Sequence, residues 1–193
     1  MRLLDSLLIC VTLLAPAGLL AQQAPELDVA VTYSAQQGTV RGGGDFWAQG
    51  GSAEVSATFY HGLGETMNVA GTHVSSISPS GVPLTMVTST FGPRYTWSHP
   101  LHGGSVKGLN LFGQALIGVA QGLDSVFPSP TGARSDVNDF ALQIGGGADL
   151  LLSRHFAVRA LQVDWLRTQF PNGGSNVQNN LRLGAGIVFR LPK

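Results

Sequence analysis

The chain has 193 residues with 11 basic and 11 acidic side chains, so its formal net charge at neutral pH is zero. This length suits one ordinary domain and excludes a second sizeable domain beside it. No basic stripe is present, which argues against a nucleic-acid-binding protein. The only cysteine, Cys10, lies in the N-terminal apolar run, so disulfide stapling and cysteine–metal chemistry are excluded for the mature domain.

The N-terminus has the pattern of a secretory signal peptide. Arg2 begins a short polar region, residues 7–20 are apolar and interrupted by Pro16, and Ala21 precedes a polar turn. Cleavage after Ala24 is the alternative. The apolar run is shorter than the roughly 20 residues that a membrane-spanning helix needs. We therefore predict a signal peptide over residues 1–21 and one domain over residues 22–193.

The mature chain alternates apolar and polar residues in segments bounded by turn residues, which predicts β-strands. The alternation slips in the seventh segment, and one extra residue near Ala160, forming a β-bulge, restores it. Pro93 in the fourth segment needs a bulge or a local loss of ladder hydrogen bonds. The third segment is the weakest, and its two faces are not distinguished. The eight predicted strands are residues 27–34, 52–61, 66–74, 85–98, 106–121, 138–151, 155–167 and 179–191.

The last predicted strand has the most regular alternation. From Leu181 to Leu191 the odd positions read Leu, Leu, Ala, Ile, Phe, Leu, whereas the even positions from Asn180 read Asn, Arg, Gly, Gly, Val, Arg. One face suits lipid and the other suits a polar, tightly filled interior. Together with a secretory signal, this pattern predicts an all-β fold, an eight-stranded antiparallel up-and-down transmembrane β-barrel. A soluble β-sandwich is the alternative.

The predicted connections differ in length between the two ends of such a barrel. If the first strand leaves the periplasm, all outer loops are longer than all periplasmic turns, as outer-membrane barrels show. A soluble sandwich has no reason to separate long and short loops. The predicted turns are residues 62–65, 99–104 and 152–154, and the predicted outer loops are residues 35–51, 75–83, 122–137 and 168–176.

Aromatic residues on the apolar faces form two predicted girdles at the borders of the membrane. Both girdles are assigned from the topology in which the first strand leaves the periplasm. The periplasmic girdle comprises Phe59, Tyr95, Trp97, Phe156 and Phe189, and the outer girdle comprises Tyr33, Phe140 and Trp165.

The motif Arg182-x-Gly184-x-x-Ile187-x-Phe189 resembles the C-terminal assembly signal of bacterial outer-membrane proteins, although the chain runs four residues past the aromatic residue. The whole mature chain resembles the small OmpA/OmpX-type barrel superfamily. The resemblance implies a monomeric barrel in a Gram-negative outer membrane. It also implies recognition by the barrel-assembly machinery, and contact with membrane lipid and lipopolysaccharide.

The inward-facing set includes charged residues, and buried charges must be paired. We predict one ion-pair cluster toward the outer half, formed by Glu54, Asp164 and Arg182, and one toward the periplasmic half, formed by Arg94, Asp149 and Arg159. Gln114, Gln143 and Gln162 are expected between the clusters. Gly145, Gly147, Gly184 and Gly186 are expected to make room for the arginines. A structural plug without an open channel is favoured, and a small gated pore is the alternative.

A lipid A-modifying enzyme is a further alternative. His73-Val74-Ser75 has the His-x-Ser spacing of the deacylases that this function would resemble, which pair a hydroxyl nucleophile with a histidine base. No carboxylate is expected beside it, because Glu65 lies at the far end of the strand and Asp124 and Asp136 lie on a distant loop. We therefore predict that the protein is not an enzyme.

The remaining polar groups are assigned to the two rims. His61, His99, His102 and His155 share the periplasmic rim without tight ligand spacing, so solvated histidines are favoured over a metal site, and no cofactor is expected. Binding specificity on such scaffolds usually resides in outer loops, which predicts a structural or surface-interaction role. The residues singled out are Arg41, Asp45, Phe46 and Trp47 in the first loop and Asp124, Phe127, Arg134 and Asp136 in the third.

Overall fold

A computed structural model describes residues 25–40, 44–77, 81–102, 104–130, 132–172 and 176–191. The predicted signal peptide and Arg41 lie outside these ranges. No helix within them is long and apolar enough to cross a membrane. The strands are β1 (Glu26–Val40), β2 (Gly44–Tyr60), β3 (Leu63–Ile77), β4 (Val82–Pro100), β5 (Gly108–Leu123), β6 (Phe127–Ser129), β7 (Gly132–Arg134), β8 (Val137–Leu151), β9 (Phe156–Thr168) and β10 (Gln178–Leu191).

Eight of the strands close into a single antiparallel barrel, in the order β1-β10-β9-β8-β5-β4-β3-β2. The first and last strands meet along a continuous register from Leu27↔Leu191 to Gln37↔Leu181. Closure satisfies the backbone hydrogen bonds of every strand, which a bilayer requires because it offers no water to an open edge. The predicted all-β, eight-stranded barrel is confirmed. The short strands β6 and β7 form a separate hairpin at the end opposite the termini.

The two faces of the barrel wall differ in character. Outward apolar side chains such as Val31, Ile117 and Ile187 are 50–60% exposed. The inward side chains of the same strands are buried. The two faces of the third strand, which the sequence does not distinguish, are clear in the structure. Asn68 points into the barrel and is buried, whereas Met67 points outward and is exposed. So large an exposed apolar surface marks contact with membrane or partner.

Several strands are longer than the alternation predicts. The pairing of β1 with β2 continues through Ala35↔Gln49 to Val40↔Gly44, so most of the predicted loop over residues 35–51 is a hairpin. Glycine and short polar residues weaken the alternation there, but the backbone pairing persists. Only residues 41–43 connect these strands, whereas residues 101–107 connect β4 to β5 at the other end. The predicted separation of long outer loops from short turns is therefore wrong for this pair.

The two predicted irregularities lie where expected. Between β8 and β9 the register passes from Ala148↔Leu161 to Asp149↔Arg159, which leaves Ala160 unpaired and confirms the bulge. Between β4 and β5 the register skips Gly92 and Pro93 without shifting. Pro93 is thus accommodated by a local loss of pairing, because proline has no amide hydrogen to donate.

Candidate functional site inside the barrel and at its outer end

The six charged residues of the two predicted clusters all lie inside the barrel. Their exposed fractions are between 1% and 4%. They come from five strands, because the strict alternation of β2, β4, β8, β9 and β10 directs them to one lumen. An eight-stranded barrel is just wide enough to be filled by its side chains, so these groups must meet.

Four of them form a cluster toward the end of the barrel that carries Glu26 and Leu191, the predicted periplasmic end. The Glu54 carboxylate accepts hydrogen bonds from Arg94 Nη1 at 2.6 Å and from Arg159 Nη1 at 2.8 Å. Asp149 accepts two more from Arg159, at 2.8 Å from Nε and 3.2 Å from Nη2, and lies 3.7 Å from Arg94 Nη2. We call Glu54, Arg94, Asp149 and Arg159 the four-charge cluster. Its two carboxylates and two guanidinium groups balance in charge.

The other two charges form a separate pair nearer the outer end. Arg182 donates to Asp164 Oδ2 from Nη2 at 3.1 Å and from Nε at 3.3 Å. Gln162 joins this pair to the four-charge cluster, because it accepts from Arg159 at 2.9 Å and donates to Asp164 at 2.9 Å. Asn68 makes a second, longer link between Glu54 and Arg182, with both distances 3.4 Å. The charges therefore form one network.

Glu54 was predicted in the outer group, with Asp164 and Arg182, and this grouping is wrong. β2 begins at Gly44, eight residues before the predicted start, so Glu54 lies in the periplasmic part of the strand. It is six residues from the end of β2, as Arg94 is from the end of β4. The two side chains consequently meet at the same depth.

The predicted glutamines differ in their contacts. Of the three glutamines, only Gln162 bridges the four-charge cluster and the Arg182–Asp164 pair. Gln114 donates to Glu54 at 3.3 Å, and Gln143 accepts from Thr90 at 3.2 Å. Gln143 therefore makes its contact outside the charge network.

Phe112 is a member of the interior that the sequence reasoning did not single out. Its ring lies under both guanidinium groups of the four-charge cluster, 3.7 Å from the Cζ of Arg94 and 4.5 Å from that of Arg159. Cation–π contact of this kind is strongest where the cation is shielded from water. Its signal in the sequence was an aromatic residue at inward parity between Asn110 and Gln114.

The inward glycines make room for groups other than the arginines. A Cβ on Gly147 would lie 2.7 Å from Phe112 Cζ, and one on Gly145 would collide with the Asp164 carboxylate. A Cβ on Gly184 would lie 2.8 Å from a methyl group of Thr32, and one on Gly186 would collide with the backbone of β1. The prediction that these glycines accommodate arginine side chains is wrong, because the tight neighbours are Asp164, Phe112 and β1.

The outer third of the lumen contains an apolar cluster, which the sequence reasoning did not predict. Phe127 and Phe170 meet there with ring centroids 5.7 Å apart. Gly122 allows this contact, since a Cβ on it would lie 2.5 Å from Phe127 Cζ. Phe127 was predicted on an exposed loop, but the β6–β7 hairpin buries it to 7% exposure. The buried cluster consists of Met86, Ala120, Phe127, Ala141, Leu166 and Phe170.

A cavity of about 540 Å³ opens beside this cluster at the outer end of the barrel. We call it the outer-mouth pocket. Its walls are mainly aliphatic and aromatic, and none of the described side chains that line it is charged. Its apolar lining includes Ile77, Val82, Leu84, Met86, Phe127 and Phe170.

The other outer-end residues lie on strands or beside them. Asp45, Phe46 and Trp47 belong to β2 and not to a loop, because β2 begins at Gly44. Asp45 accepts hydrogen bonds from Gln37 and Thr39 of β1, Phe46 lines the outer-mouth pocket, and Trp47 is 49% exposed.

The third outer connection places two of its charges in solvent. Arg134 lies in β7 and is exposed. Asp136 is exposed beside it and accepts a hydrogen bond from Ser135 at 3.2 Å.

All eight girdle aromatics lie on the outward face, with exposed fractions between 38% and 60%. Phe156 and Phe189 contact each other edge to face, 5.1 Å between centroids, across the β9–β10 pair. Of the assembly-signal residues, Ile187 and Phe189 face outward, whereas Arg182 is buried in the charge network.

His73 has a hydrogen-bonded neighbourhood that was not expected. Its Nδ1 lies 2.9 Å from Thr85 Oγ1, and Thr85 donates to Asp124 Oδ2 at 3.2 Å. β5 extends to Leu123, which pairs with Thr85, so Asp124 is brought to this point. The expectation that Asp124 is distant is wrong, although its carboxylate contacts Thr85 and not the imidazole.

The four periplasmic histidines are all exposed. The ring of His61 contacts Tyr60 edge to face, and that of His99 stacks on Trp97 at 5.6 Å between centroids. Across the described ranges, no group of three His, Cys, Asp or Glu side chains is placed to hold a metal ion.

Comparison with solved structures identifies this architecture. Neisserial surface protein A superposes with a TM-score of 0.61 at 10% identity, covering 86% of this chain and 97% of that one. The Yersinia pestis attachment invasion locus protein Ail, in complex with the heparin analogue sucrose octasulfate, superposes with a TM-score of 0.56 at 15% identity, covering 88% of this chain and 100% of that one. This chain has the fold of the small outer-membrane β-barrels. No protein-family model matches it, and neither does any curated protein sequence.

The outer-membrane barrel is consistent with the rest of the molecule. The fold of these barrels agrees with the exposed apolar outer face and the polar lumen described above.

Proposed function

We propose that the protein is a closed, non-conducting outer-membrane barrel whose outer end serves as an interaction surface. The charge network is the observation that supports a closed, non-conducting barrel. It ties together side chains of β2, β4, β8, β9 and β10 through ion pairs of 2.6–3.1 Å. An ion crossing the lumen would have to separate these buried pairs, and each separation leaves an unpaired buried charge.

The length of the strands supports the second half. A transmembrane β-strand needs about 9–11 residues, whereas β2 has 17 and β1 has 15. Beyond the girdle residue Tyr33, β1 and β2 remain paired as far as Val40 and Gly44. The barrel wall therefore continues past the membrane as a rigid support for outer segments, which is where binding residues are usually placed.

The charges of the outer end do not favour a polyanion such as the sucrose octasulfate bound by Ail. The described outer segments carry two cationic side chains against four carboxylates. The cations are Arg134 and Arg167, and the carboxylates are Asp45, Asp124, Asp136 and Asp139.

Lipopolysaccharide and membrane lipid are the partners that the wall itself favours. Arg167 follows Trp165 by two residues and therefore shares its outward face, nearer the outer end. A guanidinium group just above an interfacial aromatic residue is suited to a lipid phosphate. We infer a monomeric barrel that contacts lipopolysaccharide there.

The assembly machinery is the third proposed partner. Ile187 and Phe189 face outward on β10, the strand that closes the barrel against β1. Replacing Phe189 with alanine should slow insertion in cells, measured as delayed appearance of the folded species. The matched control is Phe156→Ala, which removes the facing aromatic but leaves the signal. Equal insertion rates for Phe189→Ala and wild type would contradict this role.

Planar bilayer recording tests the closed barrel. The purified protein, shown to be folded by its heat-modifiable gel mobility, should give no discrete current steps. Arg159→Ala removes the guanidinium group that contacts both Glu54 and Asp149 and should admit measurable leak. Reproducible channels from the wild-type protein would overturn the proposal.

The surface role has its own test. Cells displaying the protein should attach to one another or to a protein-coated surface more than control cells do. Replacing residues 125–135 with a Gly-Ser linker should abolish the gain while the barrel stays folded. Attachment equal to that of cells without the protein would contradict a surface role.

A further inference from the structure

The outer-mouth pocket has the size and lining of a small-molecule site. Ligand sites in proteins usually measure roughly 300–1,000 Å³ and combine apolar walls with a few polar groups, and this cavity measures about 540 Å³. Leu84, Met86 and Phe170 contribute apolar surface to it. Val126 on its rim is 61% exposed, so the pocket can be reached from outside.

The polar groups of the pocket restrict the charge of an occupant. Among the residues that the structure describes, no Asp, Glu, Lys, Arg or His side chain lines it, so these residues offer a buried ion no counter-charge. Gln36 lines the pocket and is 3% exposed, and its Oε1 accepts no hydrogen bond from the residues that the structure describes. A buried acceptor of this kind favours a ligand that donates one hydrogen bond.

One wall of the pocket is held in place by a specific side chain. Gln178 accepts from the Phe170 amide at 2.9 Å and donates to the Phe170 carbonyl at 2.9 Å. It also accepts from Thr168 at 3.1 Å. Because both ends of its amide are engaged, Gln178 fixes the backbone that carries the Phe170 ring.

We propose that the outer-mouth pocket binds a neutral, largely apolar small molecule that carries one hydrogen-bond donor, such as a medium-chain alcohol. The apolar part would lie against Met86, Leu84 and Phe170, and the donor would reach Gln36. The inference goes beyond the surface role, because a closed barrel with an adhesive outer end needs no such ligand.

The chain contains its own reporter and its own control for this binding. Outside the N-terminal segment it has two methionines, Met86 in the pocket and Met67 on the lipid-facing wall, 50% exposed. With 13C-methyl methionine and the full domain in lipid nanodiscs, 1-octanol should shift the Met86 signal saturably. The Met67 signal reports simple partition of the alcohol into lipid. Equal, non-saturating shifts of both signals would overturn the proposal.

Two comparisons test the stated chemistry. Octanoate should bind at least about tenfold more weakly than 1-octanol, because the pocket offers no cation to pair with a carboxylate. This comparison needs only the wild-type protein. Equal affinities for octanoate and 1-octanol would overturn the assignment of a neutral ligand. Gln36→Leu should weaken 1-octanol binding severalfold, whereas the control Gln49→Leu, on the outward face beside Tyr33, should not. An unchanged affinity in a folded Gln36→Leu variant would exclude Gln36 as the acceptor.

Discussion

The lumen of this barrel contains two regions with opposite chemistry. Toward the periplasmic end, buried carboxylates and guanidinium groups are paired around Phe112. Toward the outer end, Met86, Phe127 and Phe170 form an apolar cluster beside an uncharged cavity. The charged region is built from inward positions of the barrel strands, whereas the apolar region adds Phe127 and Phe170 from outside those strands. Closure of the barrel therefore decides which side chains meet. The residue types at each depth of the lumen decide whether that depth is charged or apolar.

The two regions also respond differently to the loss of one side chain. In the charged region, removing one charged member leaves an excess of the opposite charge buried in the lumen. In the apolar region, a removed group leaves a void whose cost depends on how far the neighbours can relax. Because a cavity already borders the apolar cluster, its neighbours are less tightly constrained. The charged region should therefore be the more sensitive of the two.

Arg159→Ala should give the largest effect. It leaves Glu54 and Asp149 with Arg94 as the remaining guanidinium partner. One buried negative charge is then uncompensated, so we expect a loss of about 3–5 kcal/mol in the free energy of unfolding. Urea unfolding in lipid vesicles, followed by tryptophan fluorescence, measures it. The control is Arg154→Ala in the exposed turn between β8 and β9, which should change stability little. A loss below about 1 kcal/mol would show that the cluster is not tightly paired.

Variants of Arg182 and Asp164 distinguish two quantities. One is the cost of leaving a single buried charge unpaired, and the other is the net contribution of the intact ion pair to stability. Arg182→Met alone should destabilise the barrel by about 3 kcal/mol. Adding Asp164→Leu should recover most of that loss, because replacing both members with apolar groups removes the unpaired charge. Arg182 Nη1 and Asp164 Oδ1 have no hydrogen-bond partner among the described residues, which limits what the intact pair contributes. A double variant no more stable than the single one would contradict this reasoning.

Met86→Ala tests the apolar region. Truncating a buried methionine costs about 2–5 kcal/mol, and the lower end applies here because the side chain borders a cavity. The same unfolding assay measures the change, with the outward Met67→Ala as the control. A loss exceeding that of Arg159→Ala would reverse the ranking of the two regions.

The sequence predicted the fold and the inward position of all six charges, because both follow from alternation with a period of two. It failed where alternation is weak. The true start of β2 at Gly44 is hidden by small residues, and this error placed Glu54 in the wrong group. The apolar cluster was missed because Phe127 and Phe170 lie outside the barrel strands and reach the lumen only through tertiary folding. Asp124 was misplaced because β5 runs two residues beyond its predicted end.

The smallest effect is expected at His73, on the outer part of the wall, away from both interior regions. Ser75→Ala should leave the lipid A of cells making the protein unchanged in mass, as should the wild-type protein relative to cells lacking it. The reason is geometric: Asp124 contacts Thr85 and not His73, so no carboxylate directly orients the imidazole as a base. Mass spectrometry of extracted lipid A measures it. Loss of an acyl chain in cells making the wild-type protein, but not in cells making Ser75→Ala, would instead show that Thr85 relays the carboxylate to His73.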